Sequence, residues 1–180
     1  MNLLFNVGRI YVPQFIRRKV LREIFNATAV SFGVQVPSID LLNADGILSK
    51  YAAFTAAKGE EAIRLGSETE VARRLYENAS EIGRKARRDF GVKNMKHAMT
   101  LSKIVYGILG IEFYGTAAGE ILIRRCYFSR FYSSHVCRLI SAFDVGFLAG
   151  VSGSSNLRFI NRITEGDPCC RAHLAIEADT

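Results

Sequence analysis

Gly110 divides this chain into two hydrophobic periods. Before it, apolar residues recur every three or four positions, the spacing of one face of a helix. Beyond it they alternate, the spacing of one face of a strand. A chain that changes period once, from helical to extended, is expected to fold as α+β, with its strands segregated from its first helices.

The helical part, residues 1–110, breaks where its glycines and prolines fall. Pro13 opens a run with Phe15, Ile16, Leu21, Ile24, Phe25 and Thr28 on one face, and Gly33 and Pro37 close it. Ser38 is the expected cap of a second run carrying Leu41, Leu42, Ile47, Leu48, Tyr51, Ala52 and Phe54, with Gly46 and Gly59 leaving open whether this is one helix or two. Ser67-Glu68-Thr69-Glu70 reads as a capping box ahead of Val71, Leu75, Ala79 and Ile82, and Gly91 ends that helix. Asn94 caps a fourth, with Met95, Ala98, Met99 and Tyr106 inward.

In residues 111–180 the pattern predicts ββαββ. Strands are expected at Ile111–Tyr114 and Glu120–Phe128, joined by the small-residue turn 115–119. Ser133 or Ser134 caps a helix from His135 to about Gly150, and Val151–Ser155 forms a turn. Strands Leu157–Thr164 and Cys169–Glu177 then flank Glu165-Gly166-Asp167-Pro168 as a hairpin. The expected architecture is one domain, 1–180, with a helical block and a four-stranded antiparallel sheet covered by helices on one face.

The charge is +7, and sixteen Lys and Arg against ten Asp and Glu in residues 1–100 account for nearly all of it. Much of the excess is Arg84, Lys85, Arg87, Arg88, Lys93 and Lys96. A nucleic-acid surface would add a reading motif or stacking aromatics, and this cluster holds only Phe90. A solvated helix face is expected, with no nucleic acid as partner. The apolar cluster Leu3–Phe5 is too short for a secretory leader, and no run approaches eighteen uncharged apolar residues. These features predict a cytoplasmic chain without a membrane partner, and leave a homodimer open.

All four cysteines, Cys126, Cys137, Cys169 and Cys170, lie in the last third, and none forms a C-x-x-C pair. A disulfide framework is not expected in that compartment, which leaves burial, thiol chemistry or metal binding. Cys137 and Asp144 are two helical turns apart, on one face with Ile140, Ser141 and Leu148. An acid on so apolar a helix is either fixed by a partner such as Arg162 or held at a raised pKa suited to proton transfer. On the last strand, parity turns Cys170, Ala172, Leu174 and Ile176 inward, and Cys169, Arg171, His173 and Glu177 outward. Cys137, Asp144 and Cys170 are therefore expected to converge. Zinc is possible there, although no ligand pair has finger-like spacing and His135 faces away from Cys137. His97 and His173 read as surface groups. The chain has no G-x-S-x-G and no phosphate-loop motif.

The run Cys126-Tyr127-Phe128-Ser129, then Val136-Cys137-Arg138, Asp144, and Arg162-Ile163-Thr164-Glu165-Gly166-Asp167-Pro168-Cys169-Cys170 resembles the L-2-amino-thiazoline-4-carboxylic acid hydrolase family. Cys137, Asp144, Gly166, Asp167 and Cys170 match its pattern of a helix Cys and Asp, a Gly-Asp turn and a near-terminal Cys. The same stretch resembles the vinyl-4-reductase small-molecule-binding domain, except that Arg162 stands where that pattern has a strand cysteine. The resemblance covers about fifty residues. It implies a hydrolase opening a C–N bond of a small cyclic amidine, with Cys137 or Cys170 as nucleophile or water-activating ligand and Asp144 as general base or amidinium anchor. Arg162 is the candidate for a substrate carboxylate, with Glu165 and Asp167 as further substrate contacts. A non-catalytic ligand-binding module is the competing expectation, and a nucleic-acid adaptor a third.

Overall fold

The structure is a computed structural model that describes residues 12–154 and 157–175. Leu3–Phe5, Ser155, Ile176 and Glu177 lie outside those residues. Four helices come first: α1 (Gln14–Ser31), α2 (Ala44–Arg64), α3 (Glu68–Asp89) and α4 (Met95–Ile108). The strands follow as β1 (Ile111–Gly115) and β2 (Glu120–Cys126), then α5 (Ser134–Ser152), β3 (Leu157–Asn161) and β4 (Cys170–Leu174). The expected α+β order and four-stranded antiparallel sheet are present.

The caps correct several boundaries. Asn43, not Ser38, begins α2, its Oδ1 accepting from Gly46 N at 2.8 Å, and α2 is one continuous helix through Gly46 and Gly59. The expected Ser67 capping box is not made; Ser67 Oγ turns back to donate to the Ala62 carbonyl at 3.3 Å, closing the α2–α3 corner. Asn94 caps α4 as expected, accepting from His97 N at 3.0 Å. Ser133 caps α5, accepting from Val136 N at 3.2 Å. That helix runs on to Ser152 and stops at Gly153, whose φ of 84° is a left-handed C-cap.

Strand ends are trimmed by short 3₁₀ turns. β2 stops at Cys126 because Tyr127–Arg130 coils, and β3 stops at Asn161 because Ile163–Glu165 does. The β3–β4 connection is therefore longer than a tight Glu165–Pro168 hairpin. Gly166, at φ 96°, reverses the chain there.

Sheet order is β1-β2-β4-β3, each neighbour antiparallel. β2 and β3 consequently run the same way with β4 between them, and α5 makes the crossover. The expected parity holds on β4: Cys170, Ala172 and Leu174 are buried, and Arg171 and His173 exposed. Phe113, Ile121 and Ile123 join them on the covered face. Tyr106 of α4 stacks on Phe113 at 4.7 Å and meets Phe147 of α5 edge-on at 6.1 Å, so both helices close that face.

The other side of α5 packs on α3 closely enough to exclude side chains. A Cβ on Gly146 would enter the Tyr76 carbonyl, and one on Gly150 the Ser80 carbonyl; Gly83 of α3 is equally close to Phe147. Among the described residues α5 is the one helix long and apolar enough to cross a membrane, although Arg138 and Asp144 interrupt it with charge. Eleven of its residues are buried inside this fold.

Candidate active site

A cavity of about 70 Å³ lies where α5, α2, the start of the sheet and the β3–β4 connection meet. Cys137, Asp144 and Cys170 all line it. The helical spacing and the strand parity together bring them there: α5 offers Cys137, Ser141 and Asp144 from one face, and β4 offers its first inward side chain. Cys126, at the end of β2, is a third thiol on the wall.

Asp144 is part-buried, and its partner is not Arg162. Tyr106 Oη donates to Asp144 Oδ1 at 3.0 Å, and Asp144 makes no ion pair among the described residues. Burial pushes its carboxyl up to about 6, against the opposing pull of the Tyr106 hydrogen bond and the more distant Arg162 charge. Tyr106 is itself locked by its stack on Phe113.

The thiols are shielded. Burial drives Cys126 up to about 12. Cys170 is raised by the same cause, although its sulfur accepts a hydrogen bond from Ile163 N at 3.3 Å. Cys137 is half-buried. Cys169 is absent from the cavity lining, as its parity requires. All four cysteines are unpaired.

Arg162 stands in the partition between this cavity and the surface. Its Nη1 donates to Ser141 Oγ at 2.6 Å, its guanidinium lies 3.8 Å over the Phe159 ring, and its Nε is 3.8 Å from Glu165. Glu165 is pulled outward by Arg138, whose Nε is 2.7 Å from Oε1. Asp167 is taken up by the turn, accepting from Asn161 Nδ2 at 3.3 Å and Arg162 N at 3.4 Å. Neither acid lines the cavity.

The remaining wall comes from rings outside the last third of the chain and just inside it. Tyr51 and Phe128 meet edge-on at 5.7 Å, and Phe128 stacks with Tyr132 at 5.5 Å. The two phenols are anchored by buried threonines, Tyr51 to Thr28 at 3.1 Å and Tyr132 to Thr55 at 2.6 Å. A carboxylate set among aromatic faces is a favourable environment for a small organic cation. Tyr51 and Tyr106 were legible in the sequence only as inward-facing helix positions, and nothing there singled out their hydroxyls.

Among the described residues no three His, Cys, Asp or Glu side chains group closely enough to hold a metal ion. His135 and His173 are exposed and away from the cavity. The arrangement as it stands therefore does not fit a zinc site. No family model matches the chain, and neither a curated protein nor a solved structure shows significant similarity to it.

Proposed function

We propose that the protein is a hydrolase that opens a C–N bond of a small cyclic amidine of the 2-aminothiazoline type. The observation that carries this reading is Asp144, a carboxyl with its pKa raised to about 6, facing a small ring-lined cavity. Such a group is poised for proton transfer near neutral pH, and when ionised it balances an amidinium.

In this mechanism water adds to the amidine carbon while Asp144 takes one of its protons and passes it to the ring nitrogen. The tetrahedral adduct then collapses. Its hydroxyl proton follows the same route, the C–N bond breaks, and both water protons end on the departing amine while the water oxygen becomes the carbonyl. Asp144 emerges unchanged. Tyr106 holds the carboxylate in place, and Arg162, outside the cavity lining but hydrogen-bonded to Ser141 on its wall, is the proposed group for an anionic substituent on the ring. Shielding disfavours the thiolates of Cys126 and Cys170, so neither suits the role of nucleophile; Cys137 remains the candidate thiol.

That shielding also favours a second reading, a ligand-binding module of the vinyl-4-reductase domain type, in which the thiols are only wall. Incubating the purified protein with 2-aminothiazoline-4-carboxylate and following release of the amine decides between them. Turnover lost in Asp144→Asn supports the hydrolase. Thermal stabilisation by the same compound without turnover supports the binding module.

A further inference from the structure

An apolar groove of about 290 Å³ lies between α1, α3 and α4. Ile16 and Val20 of α1, Ile82 and Ala86 of α3, and Leu101 and Ile104 of α4 supply its walls. It is open to water, since Ile16 and Phe90 on its lining are both exposed. Apolar surface gathered into one open groove marks a place where something docks. Among the described residues the only charged groups on the lining are Glu23, Lys85 and Asp89, two acids against one amine, a surplus of −1. Lys85 Nζ bonds Glu23 Oε1 at 3.1 Å and stands 4.0 Å from Asp89 Oδ2, so Asp89 is the less neutralised acid. Val12 and Pro13 also line the groove, and Val12 is the residue that joins residues 1–11 to the described chain.

We propose that this groove is the docking site of the chain's own segment before Val12, with Phe5 as its main apolar anchor. Residues 1–11 carry Leu3, Leu4, Phe5, Val7, Ile10 and Tyr11, and their one charged side chain is Arg9, opposite in sign to the groove's surplus. The reach is sufficient. Along α1 the lining runs from Pro13 to Ile24, about 17 Å at about 1.5 Å per residue. The chain from Phe5 to Val12 spans up to about 23 Å when extended. Attachment at Val12 holds the segment beside the groove at an effective concentration of roughly millimolar order, which a free competitor would have to exceed. Burial of its apolar side chains supplies the driving force. The groove shares no described lining residue with the Asp144 cavity, so the inference rests on no chemistry there.

The chain has no tryptophan, so Phe5→Trp gives the whole protein a single indole whose emission reports its surroundings. That indole is expected to emit to the blue of the same residue in a free peptide of residues 1–11, and to resist quenching by acrylamide. Ile16→Glu, at an exposed position, and Ile104→Glu, at a part-buried one, each place a carboxylate on the groove wall. Added to Phe5→Trp, each should move the emission to that of the peptide and remove the protection. Peptide-like emission from Phe5→Trp alone would overturn the assignment and leave the groove to a separate apolar ligand. Blue emission that persists in groove variants whose melts match the wild type would overturn it equally. Protection that grows with protein concentration would give the groove to the segment of a second copy instead. Asp144→Asn should leave the emission unaltered, so this result and that of the ring-opening assay stand or fall separately.

Discussion

Tyr106 and Asp144, thirty-eight positions apart on α4 and α5, meet through a 3.0 Å hydrogen bond in which the phenol donates to the carboxylate. That bond favours the ionised acid, whereas burial favours the protonated one, and burial is the larger effect. Tyr106→Phe removes only the donor. The Asp144 pKa should then climb above its present value of about 6, by roughly one unit if the bond contributes what a charged hydrogen bond usually does. Carboxyl-labelled NMR titration of the two proteins measures this, and an unchanged or lower pKa in the variant would remove Tyr106 from the account.

The same carboxyl makes stability depend on pH. Its folded pKa of about 6 lies above the ordinary 3.8, so the folded state holds the proton more tightly than the unfolded chain. The contribution is complete below about pH 4 and is lost as pH rises through 6, at a cost of about 2–3 kcal/mol. Asp144→Asn cannot ionise there. Its stability relative to wild type should rise from pH 4 to pH 7 and then level off, as read from urea melts across that range. A flat difference would mean that Asp144 is not desolvated.

The α3–α5 contact predicts a different kind of damage. Gly146→Ala and Gly150→Ala each drive a methyl into a backbone carbonyl of α3, which cannot swing aside as a side chain could. Each should cost about 1–3 kcal/mol despite the better helix propensity of alanine. Gly107, with open space around its Cβ position, is the control, and Gly107→Ala should be neutral or slightly stabilising. Thermal melts of the three variants separate crowding from propensity.

How much of this could be read from the chain depended on the range of the interaction. The period change at Gly110 placed the border between α4 and β1, and alternation on β4 turned Cys170 in and Arg171 out. Both are repeated local signals. Caps are single-residue decisions settled by neighbours: Ser38 and Asn43 are both good caps, and α2 starts where Asn43 meets Gly46 N. The proximity of Cys137, Asp144 and Cys170 followed from helix and strand periodicity, because each fixes a face. Asp144 having Tyr106 rather than Arg162 as its partner did not follow, since it depends on how α4 crosses α5. Nor did the use of Asp167 within its own turn, because the sequence shows an acid beside a glycine but not where its oxygens point.

Thiol reactivity should sort the cysteines. Cys126 and Cys170 are shielded and their thiols raised by burial, so in the native protein at pH 8 both should react slowly with Ellman's reagent. Cys126→Ser and Cys170→Ser should each remove one slow equivalent and leave the fast phase unchanged. Two fast equivalents lost instead would place those thiols in solvent.

Asp144→Asn provides the decisive test of the chemistry. The amide keeps the volume and can still accept the Tyr106 hydrogen bond, but it can neither take a proton from water nor offset an amidinium. Ring opening should fall by about 10²–10⁴-fold, the usual worth of a positioned general base. In the wild type the base must be ionised, so the rate should decline as pH drops through about 6, and this acid limb should move upward in Tyr106→Phe. Cys169→Ser, outside the cavity, should leave the rate unchanged, whereas Cys137→Ser should lower it if that sulfur attacks the amidine carbon. Full activity in Asp144→Asn at every pH would discard the proton-transfer role of Asp144. An intact acid limb in that variant would assign the limb to some other group.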